Sequence, residues 1–238
     1  MYAEVRSVER LSPTMIRVVL GGGELESYEP SPAADAYINA RFLPKDSPVQ
    51  VPFEPDDLEG IDAALRPKPR RFTMRRWDGQ ALELTIDFVA HGDEGYAGSW
   101  AQRTQPGDRL QFSGPGGSYR PADDVDWHLF VGDESALPAI GASLEALPAG
   151  RRAEVIAVVD DADCRIDLPS EAEVNVTWVY RRGAADIETV LPAAVEALDF
   201  SAGSFDVFVH GKAAETRAIR RFLLAEHDIA KDRASISP

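Results

Sequence analysis

The run Trp127-His128-Leu129-Phe130-Val131-Gly132-Asp133-Glu134-Ser135-Ala136-Leu137-Pro138-Ala139-Ile140 passes from a compact apolar segment, through glycine and acid, into a periodic one. Residues 127–131 read as a buried strand. Leu137, Ile140, Leu144 and Leu147 recur at spacings of three and four, which gives a helix one apolar face. The alternation continues outward. Residues 154–159 and 174–180 are strand-like, 187–198 form a helix kinked or restarted at Pro192, 205–209 a strand and 213–226 a helix. Repeated strand–helix units imply a parallel sheet with both faces covered. Ligands of such sheets bind beyond the carboxyl ends of the strands, where the junction 132–135 falls. Asp133 is placed to cap the helix, and Pro138 is tolerable in its first turn. The plain alternative is an ordinary strand-to-helix turn.

Upstream of about residue 120 the texture changes. Residues 14–20 are short, β-branched and ended by Gly21-Gly22-Gly23. Leu82, Leu84, Ile86 and Phe88 alternate with Glu83, Thr85 and Asp87, the period-2 pattern of a half-buried strand. Residues 36–43 and 109–112 also read as strands, the latter after the turn Pro106-Gly107-Asp108. Residues 28–35 and 43–55 are loops by their proline and acid content. A short helix is predicted near 97–104. This half reads as an antiparallel barrel or sandwich, and the organisation is two domains, 1–122 and 123–238.

Composition narrows the function. The chain has 238 residues, 44 % hydrophobic and 27 % charged, within the range of globular proteins. The single cysteine, Cys164, excludes an internal disulfide, a zinc ribbon and a four-cysteine cluster. Forty acidic against 25 basic residues give a net charge of −15, which argues against general nucleic-acid binding. No apolar run approaches the roughly 20 residues of a membrane span, so no stable membrane insertion is expected. The start lacks a basic region followed by an apolar one, so the expectation is no signal peptide and a cytoplasmic location. His91, His128, His210 and His227 form no H-E-x-x-H, and G-x-S-x-G, P-loop and G-x-G-x-x-G patterns are missing. With no side-chain nucleophile or metal site in view, difficult chemistry falls to a borrowed cofactor.

Three elements suit such a cofactor. Arg66-Pro67-Lys68-Pro69-Arg70-Arg71-Phe72-Thr73-Met74-Arg75-Arg76 carries six cations in eleven residues. It reads either as a solvated edge strand with gatekeeper charges or as an anion site where arginine grips a diphosphate bidentately. Residues 91–101, HGDEGYAGSWA, form a glycine-rich loop entering a short helix, whose free N–H groups attract phosphate. The third element is the junction 132–140. Arg181 and Arg182, after the strand 174–180, are either a grip for a 2′-phosphate or surface charges.

Together these elements resemble the siderophore-interacting protein family, FAD-dependent ferric-siderophore reductases related to ferredoxin reductases. The R-x-[YF]-T-x-R pattern is met by Arg70, Phe72, Thr73 and Arg75. D-F-V-x-H-G is met by Asp87-Phe88-Val89-Ala90-His91-Gly92. G-P-x-G appears as Gly114-Pro115-Gly116-Gly117, and G-D-E-[TS]-A-L-P-A-I runs from Gly132 to Ile140. The resemblance implies an N-terminal FAD-binding β-barrel and a C-terminal α/β domain that binds NADH or NADPH. It implies that Arg70 meets the FAD phosphates, with Phe72 and Thr73 beside the flavin and Asp87, Phe88 and Val89 along its edge through backbone groups. His91, Ala97, Ser99 and Trp100 would hold the diphosphate and adenine end, and Asp133, Glu134 and Ser135 would face the reacting rings. No residue is expected to act as a catalytic acid, base or nucleophile.

Two departures stand out. The family's A-G-E is His210-Gly211-Lys212 here, a charge reversal near the expected nicotinamide site. An aromatic, arginine-rich tail would begin just after Ser237-Pro238. Other readings are a flavin reductase or electron-transfer module served by ferredoxin or a protein acceptor, and a non-catalytic siderophore binder. An anionic ferric siderophore must dock against the −15 field, so Lys45, Lys68 and Lys212 are candidate substrate-binding residues.

Overall fold

Strands of alternating burial close on themselves in the first part of the chain. β1 (Tyr2–Ser12), β2 (Met15–Gly21), β3 (Tyr37–Phe42), β4 (Lys68–Asp78), β5 (Glu83–Val89) and β6 (Arg109–Gly116) form an antiparallel barrel in the order β1-β2-β5-β4-β3-β6. In β3 the inward residues Ile38, Ala40 and Phe42 are buried, while Tyr37, Asn39 and Arg41 face outward. Val18, Leu20, Leu84, Ile86, Phe88, Leu110 and Phe112 complete the interior. The helix α1 (Ala97–Arg103) lies against β5. Closure leaves no edge strand. The cationic segment forms β4, which lies between β3 and β5 in this order: residues 68–73 pair with β3 and residues 74–78 with β5, so the stretch with Lys68, Arg70 and Arg71 has a strand partner on one side only. The structure, a computed structural model, describes every residue except 91, 93, 94, 185, 186 and 228.

The rest of the chain forms a separate parallel sheet. It comprises β7 (Trp127–Asp133), β8 (Arg152–Val159), β9 (Glu173–Tyr180), β10 (Phe205–His210) and β11 (Ala234–Ser237), in the order β11-β10-β7-β8-β9. The helices are α2 (Leu137–Ala146), α3 (Ile187–Glu196) and α4 (Ala213–Glu226). Trp127, Leu129, Val131, Ile156, Val158, Val207 and Val209 pack with Leu191 and Val195 of α3 and with Ile219 and Leu223 of α4. α2 packs on β7 and buries Leu137, Ile140 and Leu144. α3 runs through Pro192 as one helix rather than restarting there. The chain winds β7-β8-β9 to one side and returns to the other side of β7 for β10 and β11. Strand order thus reverses between β7 and β10, the position where α/β sheets open a ligand crevice.

A short upstream piece belongs to this second unit, which comprises residues 33–35 and 118–238. Asp35 Oδ1 accepts hydrogen bonds from the Ser118 and Tyr119 N–H groups at 2.8 and 2.7 Å, and the Ala34 N–H donates to the Tyr119 carbonyl at 2.8 Å. Nearby, Asp206 accepts from Tyr119 Oη and from the Ala122 N–H, and sits 2.6 Å from Nδ1 of the fully buried His128. Burial, reinforced by the Asp206 charge, pushes the Tyr119 phenol well above its usual range. Among the described residues no helix is long and apolar enough to cross a membrane.

Candidate functional site

On the barrel, β4 and β5 fork. Their ladder runs from Asp78↔Glu83 to Met74↔Ile86, with a register shift between Met74 and Arg76. Past that pair, residues 68–73 continue on β3 alone and residues 87–89 on β2 alone. The fork is floored by aromatic side chains. The Phe72 and Phe88 centroids lie 4.5 Å apart, and Phe42 and Trp100 meet Phe88 at 6.2 and 5.5 Å. Arg70 stands exposed at the open end of β4, and among the described residues its guanidinium donates only to the Pro69 carbonyl. Thr73 is half-buried in the fork.

The Asp87 carboxylate is fully buried and is gripped in a fork by Arg17, at 2.7 and 2.8 Å, with Arg75 Nε at 4.0 Å. The bonds are charge-assisted and bidentate. They fix β5 against β2 at the level where β4 departs. The side chain of Asp87 is thereby committed, and only its backbone is left for a ligand. Arg75, the last residue of R-x-F-T-x-R, is itself buried and serves as a clamp rather than as a surface cation.

α1 enters this region from the glycine loop. Ser99 is buried, Ala97 and Trp100 are half-buried, and Gly95 adopts φ +80°. A Cβ on Gly98 would lie 3.2 Å from the Val89 carbonyl oxygen, so glycine is what lets α1 approach β5. His91 lies outside the described residues. An exposed arginine, a fork between strands, half-buried rings and a glycine-rich approach to a helix suit a ligand that combines a planar ring system with anionic oxygens, as a flavin dinucleotide does.

On the sheet, Gly132 stands at the reversal point, paired with His210 of β10. Asp133 does not cap α2. Its Oδ1 accepts from the Ser135 N–H at 2.9 Å and from Ser135 Oγ at 2.5 Å, and the N-cap position is Ala136, with no side-chain cap bond. Ser135 is exposed and Glu134 buried. Arg181 donates to both oxygens of Glu134, at 2.8 and 2.6 Å, and to Asp160 at 2.9 Å. Both sequence readings of Arg181 are corrected: it is neither a surface charge nor an open phosphate grip but the internal counterion of Glu134. Arg182 is 76 % exposed and pairs with Asp161.

Burial, with the Asp133 charge second, raises the Glu215 carboxyl above its usual range, while a bond from the Lys212 N–H opposes the rise. A raised carboxyl stabilises the fold at acid pH and loses that contribution as pH climbs through the raised value. Lys212 and Lys45 are exposed, and Lys68 Nζ donates to the Ala63 carbonyl at 2.7 Å. Reading by segment missed Arg17, Phe42, Glu215 and the commitment of Arg181. Each acts through a partner distant in sequence. The usable signal is the strand register that sets Arg17 opposite Asp87.

Residues 4–119 match the siderophore-interacting FAD-binding domain, and residues 125–238 the siderophore-interacting protein domain. The chain belongs to the siderophore-interacting protein family. It is 33 % identical to ferric vibriobactin reductase of Vibrio cholerae, over 96 % of this chain and 84 % of that one. It is 31 % identical to an NADPH-dependent ferric-chelate reductase of Escherichia coli, over 97 % and 89 %. The structure of a siderophore utilization protein from T. fusca superposes with a TM-score of 0.84 at 32 % identity, covering 99 % of this chain and 90 % of that one. The architecture is ferredoxin-reductase-like, a barrel and a parallel-sheet unit.

Proposed function

We propose that this protein is a flavin-dependent oxidoreductase that passes electrons from NAD(P)H through FAD to an iron(III) siderophore, releasing iron as iron(II) in the cytoplasm. The observation that carries the reading is the β4–β5 fork with Arg70 exposed at its mouth. Residues 1–122 are assigned to FAD and residues 123–238 to the nicotinamide donor. Arg70 holds phosphate. Phe72, Thr73 and the backbone of Asp87, Phe88 and Val89 border the ring system. His91, Ala97, Ser99 and Trp100 take the diphosphate and adenine end. Asp133 and Ser135 stand at the nicotinamide edge of the sheet. FAD, when bound, supplies the conversion of a two-electron hydride into single electrons. The protein's own task is to bind, orient and shield, which calls for no side-chain acid, base or nucleophile. Iron(II) is a softer, less charged ion than iron(III) and is held more weakly by oxygen chelators, so reduction releases it.

The purified protein is expected to be yellow, with about one FAD per chain. Its flavin absorbance should bleach under anaerobic NADH or NADPH and recover on adding a ferric chelate. Arg70→Ala should weaken FAD about tenfold or more, since a hydrogen bond to a charged partner contributes roughly 1.5–3 kcal/mol. Unchanged affinity removes Arg70 from the site. Bleaching by reduced ferredoxin alone would replace NAD(P)H as the donor.

Lys45, Lys68 and Lys212 are proposed to guide the anionic chelate. Its affinity should then fall as salt shortens the Debye length to about 10 Å and below. Titration against flavin fluorescence checks this. Affinity that rises with salt, the signature of whole-protein repulsion, refutes the guidance, as do charge reversals at these lysines without effect.

A further inference from the structure

The carboxyl ends of β7, β8 and β9 carry a charge arrangement that the reduction of iron does not require. Arg181 is 15 % exposed, and its guanidinium is occupied by Glu134 and Asp160, with Asp133 at 3.9 Å. Asp160 directly follows β8, the strand next to β7, and keeps 34 % of its side chain exposed. Asp161 beside it pairs with Arg182 at 2.7 Å. In nucleotide-binding sheets of this winding, an acid at the end of the second strand accepts the 2′-hydroxyl of the adenosine ribose, whereas an arginine there accommodates a 2′-phosphate. Here the acid is present and partly open, and the nearest buried arginine is committed to carboxylates.

We propose that this edge selects NADH over NADPH and that Asp160 is the specificity-determining residue. The inference rests on the reading that NAD(P)H is the donor. Asp160 gives one oxygen to Arg181 and accepts the ribose 2′-hydroxyl with its remaining capacity. A 2′-phosphate would instead bring a second anionic group against Asp160 and Asp161. To be answered by Arg181, it would have to break bonds of 2.6–2.9 Å that also neutralise the buried Glu134. Like charges set against each other in a binding site oppose association strongly. Among the described residues, Arg182 is mostly solvated and already paired, and Arg165, four residues past Asp161, is exposed with its Nε on the Ala162 carbonyl, so each offers a weak counter-charge.

Two measurements on the FAD-loaded protein test this. Calorimetric titration with NAD⁺ and NADP⁺ reads binding without turnover, and stopped-flow bleaching reads the donors themselves. The expected result is at least about a tenfold preference for the nucleotide without the 2′-phosphate in both. Asp160→Asn, with its circular dichroism unchanged, should narrow that ratio several-fold, mainly by tighter NADP⁺ binding. Equal affinities, a preference for NADPH, or a folded Asp160→Asn protein with the parent ratio overturns the inference while leaving NAD(P)H as donor. Failure of both nucleotides to bind or bleach overturns the donor reading itself, and the inference with it.

Discussion

Asp87→Ala should cost the barrel about 3–5 kcal/mol, the typical penalty for removing one partner of a buried ion pair. The loss is large because the deleted carboxylate is fully buried and serves two cations. Arg17 would lose its two short bonds to Asp87, and the buried Arg75 would lose the carboxylate 4.0 Å from its Nε. The second consequence is functional. Asp87 ties β5 to β2 where β4 leaves the ladder, so FAD affinity should drop together with stability. Urea denaturation of the FAD-free protein and a fluorescence titration with FAD read the two effects. A variant within about 0.5 kcal/mol of the parent, the range of an inert surface substitution, would show that the clamp stabilises nothing. Asp87→Asn retains an acceptor for Arg17 but no charge, and should fall between parent and alanine variant.

Gly132→Ala should destabilise the parallel-sheet unit by about 3 kcal/mol, the upper part of the range for overpacking. The added Cβ would collide with the Ala136 Cβ and stand 2.5 Å from the His210 carbonyl oxygen. Neither is the far end of a flexible side chain, so β7 must separate from β10 or α2 must lift. Either movement disturbs the reversal point of the strand order, and nucleotide binding should weaken in step. Pairing the change with Ala136→Gly relieves the first collision and not the second. The double variant should therefore recover only part of the loss in thermal denaturation. Full recovery would mean that the His210 contact is slack, and an undisturbed single variant would mean that the packing is.

The strand–helix alternation was legible because each element carries its own periodicity: α4 is Ala213–Glu226 as its pattern predicts, and the reversal-point glycine falls at the end of β7. β1 was not legible. Its middle, from Arg6 to Arg10, is exposed on both faces, which erases the period-2 signal, and the strand exists through pairing with β2 and β6. β11 is four residues long and is held by its parallel partner β10. The R-x-F-T-x-R segment announced an anion site by its charge density, but charge density alone does not separate Arg70, which is exposed, from Arg75, which is buried. That division depends on the register shift in β4. Arg181 likewise looks from the sequence like a free cation, because its partners Glu134 and Asp160 lie 47 and 21 residues away.

The clasp at Asp35 bears on how the molecule can be divided. A gene fragment cut at the start of residue 118 encodes every strand of the parallel sheet but leaves behind the acceptor for the Ser118 and Tyr119 N–H groups and the donor to the Tyr119 carbonyl. Such a fragment begins with frayed backbone next to the Asp206–His128 pair. A recombination crossover at the same point joins an Asp35 from one parent to a 118–119 turn from the other. The two halves are separable on paper by function, yet three residues near the start of the chain make the second half discontinuous as a unit of inheritance.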